Sequence, residues 1–185
     1  MRAKVSRETK ETRVDVLIDF SGSEYEISTG IPFLDHMLET LAKHAEIELR
    51  VSARGDLEVD EHHTVEDVAI TLGRAIREAL GEKRVKRFGY AIVPMDESVA
   101  ICGVDLSGRG VFNFLGEFGD AGIRGENVYH FFDTLCRNSG INMFLEVRGF
   151  NAHHKIEASF KAFALSLKMA AEKGEDIKST KGVLE

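Results

Sequence analysis

Three features that the sequence lacks narrow the class of protein. Only two cysteines occur, Cys102 and Cys136, which are too few for a disulfide scaffold and suit a reducing cytosol. No run of about 18 apolar residues exists, so no membrane span is predicted. The first residues, MRAKVSRETKETRV, lack the apolar stretch of a secretion signal. We therefore expect a cytoplasmic protein with no membrane partner.

An excess of positive charge is also missing. The formal net charge is −7, whereas nucleic-acid binders usually carry a basic surface, so no nucleic-acid partner is expected. Hydrophobic residues make up 43% and charged residues 30% of the 185 residues, which excludes disorder as the main state. This length allows one medium domain or two small halves. What the composition does offer is seven histidines, whose positions decide the interpretation.

A long internal repeat explains the positions of most of these histidines. In the first half His36 opens HMLETL, and HHTVED follows at 62–67 after a strand-like segment. In the second half His130 opens HFFDTL, and HHKIEA follows at 153–158 at a similar spacing. The sequence therefore predicts a duplicated unit, with half-domains at 1–84 and 85–185.

Each half has the same predicted order of elements. Alternating apolar residues predict strands and a period of 3.6 residues predicts helices. The first half gives strands at 3–8, 13–20, 24–29 and 47–53 and helices at 33–43 and 62–80; the second gives strands at 88–94, 98–106, 109–115 and 142–148 and helices at 127–138 and 153–172. The predicted fold is α+β: two duplicated βββαβα half-domains packed as one unit, with mixed sheets and helices on one face.

A histidine and a glutamate four residues apart begin the long helix of each half. Residues i and i+4 share one helix face, so the two side chains can bind one metal ion together. The second histidine of each pair points about 100° around the helix and would serve a different ion. The pseudo-two-fold relation then predicts two ligand sets: His36, His63, His153 and Glu157, and His62, Glu66, His130 and His154.

The composition of these sets constrains the metal and the role. A lone helical histidine is usually structural, and a single HHxxE is a weak motif, but two copies in register favour two metal sites. No cysteine belongs to the motifs, which excludes a structural zinc finger. Manganese, iron, cobalt and zinc all remain open on ligand type. A dinuclear metallohydrolase and a metal-storage or metal-sensing protein are the competing interpretations.

Several polar residues outside the repeat suit a phosphorylated ligand, because phosphate oxygens accept charge-assisted hydrogen bonds. Taken singly, each is more often a solvated surface residue. They are Arg87, Arg109, Lys161, Ser179, Thr180 and Lys181. His44 has no partner in the repeat, since Asn138 occupies the matching place. It is either a histidine that interacts with the helix C-terminus or a substrate contact.

At these residues the sequence resembles the imidazoleglycerol-phosphate dehydratase family. The motifs are GIPFLDHML at 30–38, DEHHTVEDVAI at 60–70, RFG at 87–89, DLSGR at 105–109, HHKIEASFKAF at 153–163 and STKGVL at 179–184. The resemblance covers nearly the whole chain in the same order. It departs at YHFF, where other members often carry a glutamate before the histidine, and in the loop at 116–126, which is short.

The resemblance implies a lyase of histidine biosynthesis that removes water from imidazole glycerol phosphate to give imidazole acetol phosphate. It implies two Mn²⁺ ions per active site and a homo-oligomer, a 24-subunit shell with sites between subunits. Matched by motif, the metal ligands are the eight residues of the two sets. The substrate contacts are Glu11, the stretch from His36 to His44, Arg87, Arg109, Lys161 and Ser179 to Lys181. Glu11 is our hypothesis for the base that takes the proton from carbon.

Overall fold

The fold was analysed in a computed structural model, which describes residues 1–81 and 84–174. Within these residues every predicted strand and helix is present, with ends shifted by a few residues at most. None of the helices in these ranges has both the length and the apolarity needed to cross a membrane.

The first half forms a four-stranded mixed sheet covered by two helices. Its strand order is β1-β2-β4-β3; β1 and β4 run antiparallel to β2, and β3 runs parallel to β4. The elements are β1 (Arg2–Glu8), β2 (Thr12–Asp19), β3 (Tyr25–Ser28), α1 (Pro32–Ala45), β4 (Glu48–Gly55) and α2 (His62–Leu80).

The second half repeats this topology. Its strand order, β5-β6-β8-β7, has the same pattern of antiparallel and parallel neighbours. The elements are β5 (Phe88–Met95), β6 (Ser98–Asp105), β7 (Phe112–Leu115), α3 (Gly125–Ser139), β8 (Asn142–Arg148) and α4 (Ala152–Ala171). The predicted α+β fold of duplicated βββαβα halves is therefore confirmed.

Strand β7 is the element whose predicted start differs most. We expected a strand from residue 109, but β7 begins at Phe112. Gly108 and Gly110 have φ values of 88° and 67°, in the left-handed region that a strand does not use. The chain therefore turns up to Gly110, and hydrogen bonding to β8 starts at Val111, whose carbonyl accepts from the Met143 N–H at 2.8 Å.

The helices of both halves lie between the two sheets. Helix α2 packs on β1, β2 and β4, α4 packs on β5, β6 and β8, and across the middle α2 contacts α3 while α1 contacts α4. A cluster of buried aromatic rings fills part of this layer: Phe131, Phe132, Phe160 and Phe163. The halves thus share one core, in keeping with the predicted packing as one unit, and this core fixes the N-termini of α2 and α4, which carry the two HH pairs.

The strand registers align the two halves residue by residue. Thr12 pairs with Gly55 across β2 and β4. In the second half Val99 pairs with Arg148, so Ser98 stands opposite Gly149, where a Cβ on the glycine would lie only 2.0 Å from the Ser98 hydroxyl. Thr12 and Ser98 are therefore equivalent positions, as are Gly55 and Gly149.

Candidate metal centre

The first group of possible metal ligands forms where α1 meets α4. His36 Nε2 lies 3.5 Å and His153 Nε2 lies 3.0 Å from Glu157 Oε2. One possible ligand atom from each of the three residues lies within 4.8 Å of the other two. Lys161 Nζ approaches the other carboxylate oxygen at 2.8 Å. We call this group the α1–α4 cluster.

The charge of Glu157 is favoured by these neighbours. Burial alone would raise its pKa, but hydrogen bonds from Lys161 and His153 outweigh burial and hold the pKa below the usual value. The carboxylate at this position is therefore ionised at neutral pH, as a metal ligand must be.

The second group forms where α2 meets α3 and consists of His62, Glu66 and His130, the α2–α3 cluster. The His62 and His130 rings stack with centroids 4.7 Å apart. His62 Nδ1 lies 3.2 Å from the Asn127 side-chain oxygen, which leaves its Nε2 for another partner.

A cation fits the α2–α3 cluster for a physical reason. His130 Nε2 is buried and makes no hydrogen bond to any residue that the structure describes, although Glu66 Oε1 is 3.3 Å away. A buried polar atom without a partner costs free energy, on the order of 1–3 kcal/mol. A metal ion bound between this nitrogen and the Glu66 carboxylate would remove that cost.

Within one chain, each predicted set of four ligands is brought together only in part. Three members of each set meet in the clusters above, but His63 and His154 belong to neither cluster. His63 Nδ1 instead contacts Asp56 at 3.0 Å and Glu11 at 3.7 Å. Helix geometry explains this separation. Consecutive residues of a helix point about 100° apart, so His63 and His154 lie on a different side of α2 and α4 from His62 and His153.

His154 has a comparable environment. Its Nδ1 lies 2.8 Å from Glu97 Oε2, in the β5–β6 turn, and its Nε2 lies 3.6 Å from the exposed Asp96. Hydrogen bonds to Glu97 and Asp56 raise the pKa values of His154 and His63 respectively, and the bond from His154 keeps the pKa of Glu97 well below its usual range.

Two of the predicted substrate contacts lie beside the α1–α4 cluster. Lys161 bonds to Glu157, and His44 is in the last turn of α1. Burial, and then the nearby positive charge of Lys161, lower the pKa of His44. His44 is therefore a neutral ring near a lysine, which leaves both of its predicted roles open.

The predicted arginine contacts lie elsewhere in the same chain. Arg87 Nε donates to Asp105 at 2.6 Å, and Arg109 lies 3.5 Å from the same carboxylate. The Arg87 backbone N–H bonds to Ala170 O in the last turn of α4, whereas His153 is in the first turn. A helix of this length spans roughly 30 Å, so one chain does not bring these arginines to its own His153 in the α1–α4 cluster. Ser179, Thr180 and Lys181 lie outside the described residues.

Sequence reasoning missed three residues that hold the histidine rings. Asp56, Glu97 and Asn127 each bond to an Nδ1 atom of a predicted ligand. None of them belongs to the repeated motif, and two lie in turns, where no periodic pattern marks a residue. The one signal in the sequence was position, because Glu97 stands directly before the predicted strand at 98–106 and Glu11 stands two residues before the predicted strand at 13–20.

The fold and the clusters together define a class of protein: a duplicated α+β chain with groups of histidine and glutamate that could hold metal ions. A sequence profile described as imidazoleglycerol-phosphate dehydratase matches residues 29–167. The chain belongs to the imidazoleglycerol-phosphate dehydratase family, a group of hydro-lyases.

Individual relatives and solved structures agree with this assignment. The imidazoleglycerol-phosphate dehydratase of Archaeoglobus fulgidus is 56% identical over 183 residues, covering 98% of this chain and 99% of the relative. A bifunctional histidine biosynthesis protein of Stenotrophomonas maltophilia is 50% identical over 190 residues, or 98% of this chain and 52% of that protein. The crystal structure of the Pyrococcus furiosus dehydratase has a TM-score of 0.86 and 38% identity, covering 97% of this chain and 99% of that one.

Proposed function

We propose that this chain dehydrates imidazole glycerol phosphate to imidazole acetol phosphate in histidine biosynthesis. The observation that supports the proposal is the pair of histidine–glutamate clusters, one built by α1 and α4 and the other by α2 and α3. The chain that carries them is 56% identical to a dehydratase over 98% of its length.

The clusters suit two Mn²⁺ ions per active site, although the ligand types also accommodate other divalent metals. When bound, such ions would act as Lewis acids and hold the substrate. The α1–α4 cluster offers His36, His153 and Glu157 to one ion, and the α2–α3 cluster offers His62, Glu66 and His130 to the other. We propose that His63 and His154 complete these two sets from neighbouring subunits, because each is turned away from the clusters of its own chain.

Glu11 is the proposed catalytic base. It lies in the β1–β2 turn, its side chain is 56% exposed, and its carboxylate stands 3.7 Å from His63 Nδ1. It can therefore reach a substrate held near His63, whereas Glu66 and Glu157 face the imidazoles of their clusters. The carboxylate would take the proton from the carbon next to the one that loses hydroxide, and the resulting enol would become the ketone.

Basic residues are proposed to bind the phosphate, so that its binding energy orients the reacting end of the substrate. Lys161 and His44 are near the α1–α4 cluster. Arg87 and Arg109, together with Ser179, Thr180 and Lys181, would complete the phosphate site. Because both arginines are at the far end of α4 from His153, this role requires that they come from another subunit.

The outer faces of the two sheets support a homo-oligomer, because equivalent positions are polar on one sheet and apolar on the other. On β1 the outward residues are Arg2, Lys4 and Ser6; on β5 they are Phe88, Tyr90 and Ile92, which are 53%, 72% and 68% exposed. Phe144, on the same face of β8, is 40% exposed. An exposed apolar patch of this kind is typical of a protein interface. We propose that a second copy of the chain covers it, within a 24-subunit shell.

Ile92→Lys is expected to weaken this assembly, since a buried unpaired ammonium is unfavourable at an apolar interface. The expected result in size-exclusion chromatography with light scattering is a shift of the metal-loaded protein to smaller species. Ser6→Lys, at the equivalent position of β1, is the matched control and should assemble like the unchanged protein. Equal assembly of both variants would contradict an interface on this face.

A direct assay tests the function. Metal-stripped protein is loaded with Mn²⁺ and incubated with imidazole glycerol phosphate, and formation of imidazole acetol phosphate is followed by mass spectrometry. We expect product, together with binding of two Mn²⁺ ions per chain in equilibrium dialysis. A metal-loaded protein that forms no product would overturn the proposed function.

Two other functions are less well supported. A dinuclear hydrolase usually holds its ions about 3.5–4 Å apart and often bridges them by a carboxylate, but in the described part of the chain no carboxylate is common to both clusters. Metal storage would give no role to Lys161, whose ammonium lies 2.8 Å from Glu157 Oε1, or to His44, whose pKa is lowered by burial and by the charge of that lysine.

A cytoplasmic location is proposed from the cysteines. Cys102 and Cys136 are both buried and unpaired, and burial raises the pKa of the Cys102 thiol to about 12. Neither thiol is in a disulfide, as expected in a reducing compartment.

A further inference from the structure

The second histidine of each HH pair is held through its Nδ1 atom by a carboxylate. Asp56 provides both oxygens to His63, at 3.0 Å and 3.2 Å. Glu97 provides one oxygen to His154, at 2.8 Å. An imidazole that donates Nδ1–H to a carboxylate keeps its lone pair on Nε2 and has a fixed ring orientation, which is how metal-binding histidines are usually held.

The two carboxylates are not equivalent in the repeat. Because Gly55 corresponds to Gly149, the position of Asp56 corresponds to Phe150, which has no polar side chain and is 94% exposed. The connection from the last strand to the HH pair spans residues 56–61 in the first half but only 150–152 in the second. The shorter connection carries no acid, and Glu97 reaches His154 from the β5–β6 turn instead.

Glu97 is equivalent in the repeat to Glu11, whose environment is different. It precedes Ser98 as Glu11 precedes Thr12, and these two are equivalent positions. Glu97 Oε1 accepts hydrogen bonds from the Ser98 hydroxyl and from the backbone N–H groups of Phe150 and Asn151, while Oε2 faces His154.

Glu11 has no such set of bonds to its carboxylate in the described residues. Among the residues that the structure describes, its one ionic neighbour is His63, at 3.7 Å, and that ring already bonds to Asp56. Two glutamates at equivalent positions are thus fixed to very different degrees.

We propose that Asp56 and Glu97 are positioning residues that present Nε2 of His63 and His154 to metal ions, and that the use of Asp56 in the first half leaves Glu11 free to react with substrate. The inference rests on the proposed metal-dependent function. Asp56 and Glu97 both lie outside the HHxxE motifs, and their different origins would explain why one of two equivalent glutamates is available for proton transfer.

Glu97→Gln is the first test. Both carboxylate oxygens of Glu97 accept hydrogen bonds, whereas the amide of glutamine has only one oxygen. Three donors converge on Oε1, so the amide oxygen is expected to stay there and the NH₂ group to face His154 Nδ1, which can then no longer donate. We expect affinity for one of the two Mn²⁺ ions to fall by roughly 10–100-fold in a manganese titration of the assembled protein, followed by electron paramagnetic resonance of free Mn²⁺. Glu11→Gln is the matched control and should keep both affinities.

Asp56→Ala is the second test and should weaken one Mn²⁺ site to a similar degree. Asp56→Asn retains an oxygen that can accept from His63 and should recover most of the affinity. The control is Glu58→Ala, which removes an exposed carboxylate from the same loop and should bind both ions normally. Circular dichroism checks that the variants fold, and Glu97→Gln, close in shape to the original, keeps the test valid if Asp56→Ala does not.

Wild-type affinity at both sites in folded Glu97→Gln, or in folded Asp56→Ala, would overturn the inference. A loss of Mn²⁺ affinity in Glu11→Gln would also overturn it, because Glu11 would then belong to a metal site with Asp56 and His63. The readout is metal binding, so a protein that binds two ions but does not dehydrate the substrate would refute the proposed function and leave these positioning roles standing.

Discussion

Glu11→Gln is expected to lower kcat by roughly two to four orders of magnitude while the assembled protein still binds its metals. A positioned general base typically contributes a factor of about 10²–10⁴, and glutamine has the shape of glutamate but cannot take a proton. Because the Glu11 side chain is 56% exposed and its nearest ionic contact is 3.7 Å away, the substitution should leave the fold unchanged. Steady-state kinetics of the Mn²⁺-loaded variant measures the effect.

An isotope experiment separates proton abstraction from a general loss of binding. In deuterium oxide, the unchanged protein should exchange the hydrogen on the reacting carbon of the substrate if abstraction is reversible, and Glu11→Gln should not. Glu26→Gln is a suitable control, since Glu26 is an exposed glutamate of β3, at the opposite edge of the same sheet from β1. Undiminished turnover in Glu11→Gln would assign the base to another group.

Much of the fold and part of the site could be predicted from sequence because they depend on periodic patterns. The alternation in VDVLIDF and the helical period after His62 both reflect burial of one face against the core. In the structure, Val16, Ile18 and Val65 are buried as these patterns predict. The HHxxE spacing likewise fixes which side chains share a helix face. Local geometry of this kind is determined within a few residues along the chain.

The remaining features depend on distances between segments that no local pattern encodes. Asp56 and Glu97 reach equivalent histidines from different turns, because one connection is shorter than the other. Arg87 and Arg109 lie near the C-terminal end of α4, far from His153 at its start, although their motifs suggested a shared site. A repeat in sequence predicts equivalent positions, but loop lengths and subunit contacts decide which side chains meet there.

Gly89→Ala is expected to destabilise the protein strongly, because helix α4 crosses β5 at this residue with no room for a side chain. A Cβ at position 89 would lie 1.9 Å from the Ser166 carbonyl oxygen and 2.9 Å from the Ala170 nitrogen, whereas real Cβ contacts essentially never fall below 3.0 Å. Both neighbours are backbone atoms of a helix, so they cannot move aside as a flexible side chain would. Overpacking of this kind costs about 1–3 kcal/mol and at times more.

We place Gly89→Ala at the upper end of that range, which corresponds to a fall in Tm of roughly 6–12 °C at about 2–4 °C per kcal/mol for a chain of this size. Gly103→Ala is a close control: Gly103 is on the adjacent strand β6, paired with Tyr90, and a Cβ there meets nothing within 4 Å. Its Tm should change by little, because the added methyl group would meet no atom of its own chain within 4 Å. Calorimetry of both variants, each with and without Mn²⁺, makes the comparison.

The same variant links packing to the proposed chemistry. Helix α4 carries His153 and Glu157 in its first turns, and its C-terminal part packs on β5 at Gly89. A displacement at Ser166 would therefore be transmitted along the helix to the α1–α4 cluster. Gly89→Ala should therefore also bind Mn²⁺ more weakly than Gly103→Ala at temperatures where both remain folded. Equal Tm and equal metal affinity in the two variants would show that α4 does not depend on this close approach for its position.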